Sequence, residues 1–324
     1  MSDTNTSRRY PPAARRVLWA SLFAQCGIVV TGALVRLTGS GLGCPTWPEC
    51  TAGSLVRVQH QAQGWHKYVE FGNRTLTFLL GVAAIAALAG ALLWWQRSRS
   101  RGLPGRGPVI ALAAVPLLGT VAQAVLGGIT VLTGLHPIIV AAHFLLSIGI
   151  IAGCVLLVDR AQDPDDQPVT PLVRRTLVVL GDVLVATAFL VLVLGTIVTG
   201  AGPNSGDSDV THRLGIDQRV AAWIHADIVY LFVGLIIAMA IALHLVNGPA
   251  TARRREWQLI ALVVANGVLG YLQLFLGLPW AVVAGHMLLA TLVWIAAIRL
   301  RLALRARGAA ELDLRAPDRQ PQDA

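Results

Sequence analysis

No Asp, Glu, Lys or Arg occurs between residues 107 and 158, nor between residues 257 and 298. An apolar stretch of roughly 20 residues crosses a hydrocarbon core about 30 Å thick, so each of these two has room for a pair of spans. A helix on a water-soluble core has a face to solvate and does not avoid charge for so long. The remaining composition agrees: 55% of the 324 residues are hydrophobic and 13% are charged, against about 25% charged in ordinary soluble domains. Eight spans are predicted, at about 17–36, 70–95, 109–132, 137–158, 175–199, 220–245, 257–277 and 279–299. The fold class is therefore all-α: a polytopic membrane protein with eight transmembrane helices.

Arginine sets the expected orientation. Arg8, Arg9, Arg15 and Arg16 precede the first span, Arg97, Arg99, Arg101 and Arg106 follow the second, and Arg253, Arg254 and Arg255 follow the sixth. Of the 26 basic residues, all but Arg36, Arg57, Lys67, Arg74, Arg213 and Arg219 fall on one side, which the positive-inside rule makes cytoplasmic. Both termini are expected there, in a multi-pass protein of the plasma membrane. The net charge of +9 is then a topology signal. Nucleic acid is not an expected partner, because no soluble domain gathers the basic residues. The first span is too long for a signal-peptide core and no small-x-small site follows it; Ser7-Arg8-Arg9 reads as anchoring charge.

The chain repeats itself weakly. Gln123-Ala-Val-Leu-Gly127 resembles Gln273-Leu-Phe-Leu-Gly277, and each precedes a span with one histidine, His143 and His286. The first and fifth spans end in Thr-Gly-Ala at 31–33 and 199–201. Two pseudo-symmetric four-helix bundles are the economical reading, residues 17–158 and 175–300, between a cytoplasmic N-terminus (1–16), a linker (159–174) and a polar tail (301–324), of which 308–324 reads as disordered; chance similarity of small-residue helix ends is the plainer one. Only the outer loops 37–69 and 200–219 have any size. The first carries Gly39-Ser-Gly-Leu-Gly-Cys44-Pro-Thr-Trp-Pro-Glu-Cys50. In an oxidising compartment Cys44 and Cys50 can form a disulfide; reduced thiols used in redox chemistry are the other reading. Cys26 and Cys154, inside spans, read as small buried hydrophobes.

An ionisable group within a span marks function by default. His143, His225 and His286 lie in the fourth, sixth and eighth spans, about five to seven residues in from the outer end, or roughly 8–10 Å deep at 1.5 Å per residue. A neutral imidazole ligates iron, and two from facing helices can clamp a porphyrin; His225 and His286 make the best such pair. An isolated histidine bonding a neighbouring carbonyl is the plainer reading for any one of them. His244 lies near the opposite end, and His60, His66, His136 and His212 belong to loops or helix entrances. Glu70, in Trp65-His-Lys-Tyr-Val-Glu70-Phe-Gly-Asn-Arg74, is either a proton acceptor or an interfacial carboxylate paired with Lys67 or Arg74. Asp227 is expected to cap a polar network beside His225.

The stretch from Gly32 to Cys50 closely resembles the first outer loop of the heme A synthase family. The segments around Glu70, from Gln123 to His143, from Gly200 to Asp207, and around His225 and His286 resemble that family too, over about residues 15–300. The resemblance implies an enzyme of eight helices in two halves. It would oxidise the C8 methyl of heme O to the formyl group of heme A through a hydroxymethyl intermediate, with water as the oxygen source. By the same resemblance His225 and His286 hold a permanent heme b, His143 binds the substrate heme, Glu70 is the essential carboxylate, and Cys44 and Cys50 are the loop pair. Arg36 and Arg74 are candidates to pair with the propionates. Implied partners are heme O delivered by a heme O synthase, a membrane electron acceptor and terminal oxidase assembly; a homo-oligomer is left open.

One position departs from the family. Where members often carry a second-helix histidine, this chain has Asn73, a poor iron ligand. Either His143 alone holds the substrate or His66 takes the second place through a bent helix entrance. A cysteine pair found in the second loop of some members is absent. The alternative function is a b-type heme electron-transfer membrane subunit, though His244 has no partner at its level and that role leaves the cysteine loop unexplained. A secondary transporter would share the internal repeat and would be colourless.

Overall fold

The computed structural model describes residues 10–59, 61–100, 107–163, 168–204, 206–207, 209–210 and 212–307. His60, Arg8, Arg9, Arg101, Arg106 and the tail from 308 lie outside them. Eight helices follow in order: α1 Pro12–Leu37, α2 His66–Ser100, α3 Gly107–Leu132, α4 Pro137–Arg160, α5 Arg175–Ala201, α6 Gln218–Leu245, α7 Ala250–Phe275 and α8 Trp280–Leu302. Each is long and apolar enough to cross a membrane, and the protein is a multi-pass membrane protein. α2 and α7 run past their predicted spans, α2 through Arg97 and Arg99 and α7 through Arg253, Arg254 and Arg255. Backbone hydrogen bonding continues where the apolar run has ended, and Arg97, Arg99, Arg253 and Arg254 are exposed there.

The helices pack as two closed rings. α1, α2, α3 and α4 each touch the next, with α4 returning to α1; α5 to α8 do the same. The rings meet through α4 against α8, α1 against α8, and α4 against α5, so α4 and α8 form the seam. There the indole N–H of Trp294 donates to the carbonyl of Ile148 at 3.0 Å, which satisfies a polar group that lipid could not. Ile148, Ile151, Leu184, Met239 and Ala297 are fully buried around it, whereas Phe78, Leu245 and Phe275 are more than 70% exposed on the outer faces. In water that exposure would be unfavourable; in lipid it is the solvent-matched state. The alanines of α2 at 84, 87 and 91 are buried to the last few percent, letting backbones approach closely.

Two tight turns give the repeat its register. Gly134-Leu135 and Gly277-Leu278 both have positive φ, between 58° and 72°, and Leu135 N–H and Leu278 N–H each reach back to close the preceding helix, onto Thr130 and Gln273 carbonyls. Matching these turns places Gly127 on Gly270, Gln123 on Asn266 and His143 on His286 without a gap. The pairing of Gln123–Gly127 with Gln273–Gly277 is thereby corrected by about two helical turns. A Gln-and-Gly pattern that recurs on one helix face after two turns reads the same at either register.

At the arginine-rich end a short strand, β1 (Val169–Pro171), pairs antiparallel with β2 (Arg305–Arg307). The linker and the segment after α8 are thus joined, which composition did not indicate. Arg301 pairs with Asp182, Arg305 with Asp159, and Arg307 and Arg160 with Asp163.

Candidate functional site

All three intramembrane histidines sit near the end that carries residues 37–65, called the loop end. His143 is in the second turn of α4, His225 in that of α6 and His286 in that of α8. The starts of these helices fix that depth. Pro137 opens α4 and Pro279 caps α8, proline being preset for a first turn. Asp217 caps α6, its Oδ1 accepting from Arg219 N–H and Val220 N–H, worth about 1 kcal/mol.

Each imidazole lies against a glycine of the preceding helix. A Cβ added at Gly127 would fall 3.2 Å from His143 Cε1; at Gly195, 3.4 Å from His225 Cε1; and at Gly270, 3.4 Å from His286 Cε1. His286 Nδ1 hydrogen-bonds the Asn266 carbonyl, one turn before Gly270, at 3.2 Å, whereas His225 Nδ1 is buried without a hydrogen bond. His143 Nδ1 is buried without a hydrogen bond, as is Gln123 Oε1, while Gln123 Nε2 donates to the His143 carbonyl and to Ser147. The glycines were not singled out from the sequence; their match across the corrected repeat is the signal that finds them.

The loop end of the first ring is closed by residues 38–65. Cys44 and Cys50 are joined in a disulfide and fully buried. Glu70, 5% exposed, lies in the second turn of α2, not at its entrance. Its Oε2 accepts from Cys44 N–H at 2.6 Å and its Oε1 from Arg74 at 2.7 Å. Arg74 also donates to the carbonyls of Cys44, Thr46 and Glu49 through its two terminal nitrogens, while Nε donates to Glu70. Lys67 pairs instead with the Val58 and Gln59 carbonyls. Trp47 lies directly over Gly128, the neighbour of His143's glycine. The second loop is tied on by Arg36, which donates to the Asn204 and Thr199 carbonyls, and by Gly41 N–H to the Gly206 carbonyl.

The remaining predicted positions are placed as follows. His66 is the first residue of α2; its Nδ1 bonds Ser40 Oγ at 2.9 Å and its ring stacks on Trp65. Asn73 Oδ1 accepts from Thr31 of α1 at 2.7 Å. Asp227 is exposed. His244 lines a groove with Arg253, Glu256 and Trp257. Among the described residues no cluster of three or more His, Cys, Asp or Glu side chains could hold a bare metal ion. Imidazoles from separate helices suit an iron whose equatorial positions a porphyrin would fill, and buried histidines seated against glycines fit that group.

Residues 15–298 match the COX15-CtaA family, cytochrome oxidase assembly protein. The chain belongs to this family. The match takes in all eight helices, both loops and every histidine of the site. Relatives include a heme A synthase of Listeria welshimeri, 35% identical over 145 residues, 43% of each chain. One of Geobacillus kaustophilus is 32% identical over 42% of this chain and 39% of its own. One of Lysinibacillus sphaericus is 33% identical over 47% and 49%. The chain thus aligns with less than half the length of each of these family members.

A double Cys44→Ser, Cys50→Ser variant is expected to loosen the first loop by roughly 2 kcal/mol, the value for so short a closed loop. Limited proteolysis should then cut within residues 38–65 while the eight spans survive. Parent-like resistance would show that the hydrogen bonds of Arg74 and Glu70 hold the loop unaided.

Proposed function

We propose that this protein is a heme A synthase of the plasma membrane, with both termini cytoplasmic and the loop end outside. It oxidises the C8 methyl of heme O to the formyl group of heme A. The observation that carries the reading is the placement of His225 and His286 in one ring and His143 in the other, each in the second turn of its helix and so at one depth near the loop end. The family match and the names of the relatives support it. A transporter has no use for such a set.

In this reading heme O enters from the lipid, its apolar tail remaining there, and His143 binds its iron. Each round removes two electrons and one proton from the C8 carbon, which takes up the hydroxyl of one water while that water's other proton is released. The first gives the hydroxymethyl; the second gives a geminal diol, which loses water to the aldehyde. Glu70, the buried carboxylate at this end of the first ring, is the proton acceptor. Arg74 and the Cys44 N–H hold it in place, as a base must be held to act. Trp47 and the disulfide-closed loop limit water. Arg36 and Arg74 are the basic side chains at this end available to the propionates, sharing donors with the loop carbonyls. A heme b between His225 and His286 would supply one-electron transfer toward a membrane electron acceptor. A heme O synthase supplies the substrate, and terminal oxidase assembly takes the product.

The test is expression in a bacterium that makes heme O and no heme A. Acid extraction and mass spectrometry should reveal the aldehyde heme only when the chain is present. Heme O alone, with the protein in the membrane, would contradict the proposal.

A further inference from the structure

We propose that Gly127, Gly195 and Gly270 are positioning residues, each the seat of one imidazole, and that the chain has a fourth seat, Gly27, left open by Asn73. The inference rests on the heme reading above and concerns how this chain's own residues set the number of imidazoles in each ring.

Three independent helix pairs show the same arrangement, a glycine with an imidazole edge 3.2–3.4 Å from where its Cβ would be; at His286 a carbonyl one turn before the glycine also bonds Nδ1. A carbonyl that takes the Nδ1 proton fixes the tautomer and leaves Nε2 bare, the form that bonds iron. The glycine clears a slot that admits the ring in one orientation. Any residue with a branched side chain there would occupy the ring's own volume.

The fourth helix pair, α1 with α2, has a glycine at the corresponding place, exposed and with no ring against it. Thr31-Gly-Ala33 and Thr199-Gly-Ala201 end corresponding helices, and this match places Gly27 on Gly195. A Cβ at Gly27 would meet nothing within 4 Å. Asn73 faces α1 at this level, its Oδ1 accepting from Thr31, one turn beyond Gly27. The short amide is drawn to Thr31, and the space over Gly27 is left clear. The second ring can therefore clamp its heme from both sides and keep it, while the first ring offers one fixed imidazole. Attachment through one ligand lets a substrate leave as product, which two would oppose.

Purified holoprotein is used for the test, read by heme content per chain and the low-spin fraction in electron paramagnetic resonance. Gly270→Ala, whose new methyl makes only ordinary contact, is expected to keep the parent signal. Gly270→Leu should displace the His286 ring and lower low-spin heme b about 10-fold or more, the range for groups that orient a ligand. Gly267→Leu, on the same helix with nothing within 4 Å, should keep it. Asn73→His should place an imidazole over Gly27, raising retained heme per chain about twofold, the added heme low-spin. A parent-like signal in Gly270→Leu, equal loss in Gly267→Leu, or unchanged heme content in Asn73→His would overturn the proposal. A parent protein without heme would instead end the heme reading itself, so the two failures are told apart.

Discussion

Replacing His286 with alanine removes the low-spin heme b signal from the purified protein and stops heme A formation. His286 is held on three sides: by the first turns of α8 beginning at Pro279, by the space Gly270 leaves, and by the Asn266 carbonyl on Nδ1. Alanine offers iron nothing, and no other histidine lies in α7 or α8 to replace it. The fold should survive, since α8 is anchored further along by Trp294 on Ile148 and by Arg301 on Asp182. His225→Ala is expected to give the same loss, because two axial ligands acting on one iron fail together. An unchanged spectrum in either variant would exclude that residue as a ligand.

Glu70→Gln is expected to lower heme A formation by about 10²–10⁴, the usual contribution of a positioned proton acceptor, while heme b stays at parent level. The glutamine carbonyl can still accept from Cys44 N–H, so the loop keeps one of its two ties; the ion pair with Arg74 is lost. That loss alone would loosen the loop and mimic a chemical effect. The Cys44→Ser, Cys50→Ser variant separates the two. If Glu70 is only a brace, both variants lose activity alike and both become protease-sensitive within residues 38–65. If it is the base, Glu70→Gln is inactive with a resistant loop.

Much of this fold is legible in the sequence because lipid imposes one requirement: every span must be apolar for its whole length. The charge-free runs at 107–158 and 257–298 therefore locate α3, α4, α7 and α8. The depth of the histidines is equally readable, since rise per residue is constant once helix starts are marked by Pro137, Asp217 and Pro279. What sequence withholds is long-range geometry. Arg74 reads as a partner for Glu70 or for a propionate, and only folding shows it also bound to carbonyls 25 to 30 residues earlier. His66 reads as a spare imidazole until Ser40 is found on its Nδ1. The β1–β2 pairing is three residues on each side, too short to leave a pattern. The repeat was visible but placed two turns out, because small residues recur along one face and only the positive-φ turns at Leu135 and Leu278 settle the register.

The central claim is that imidazoles from separate spans meet on porphyrin iron near the loop end. The reduced-minus-oxidised absorption spectrum of the purified protein, with its hemes extracted and identified, tests it most directly. A bis-imidazole low-spin heme b accompanied by heme O or heme A is the predicted result. A colourless protein, or heme b with one axial position open, would contradict the account.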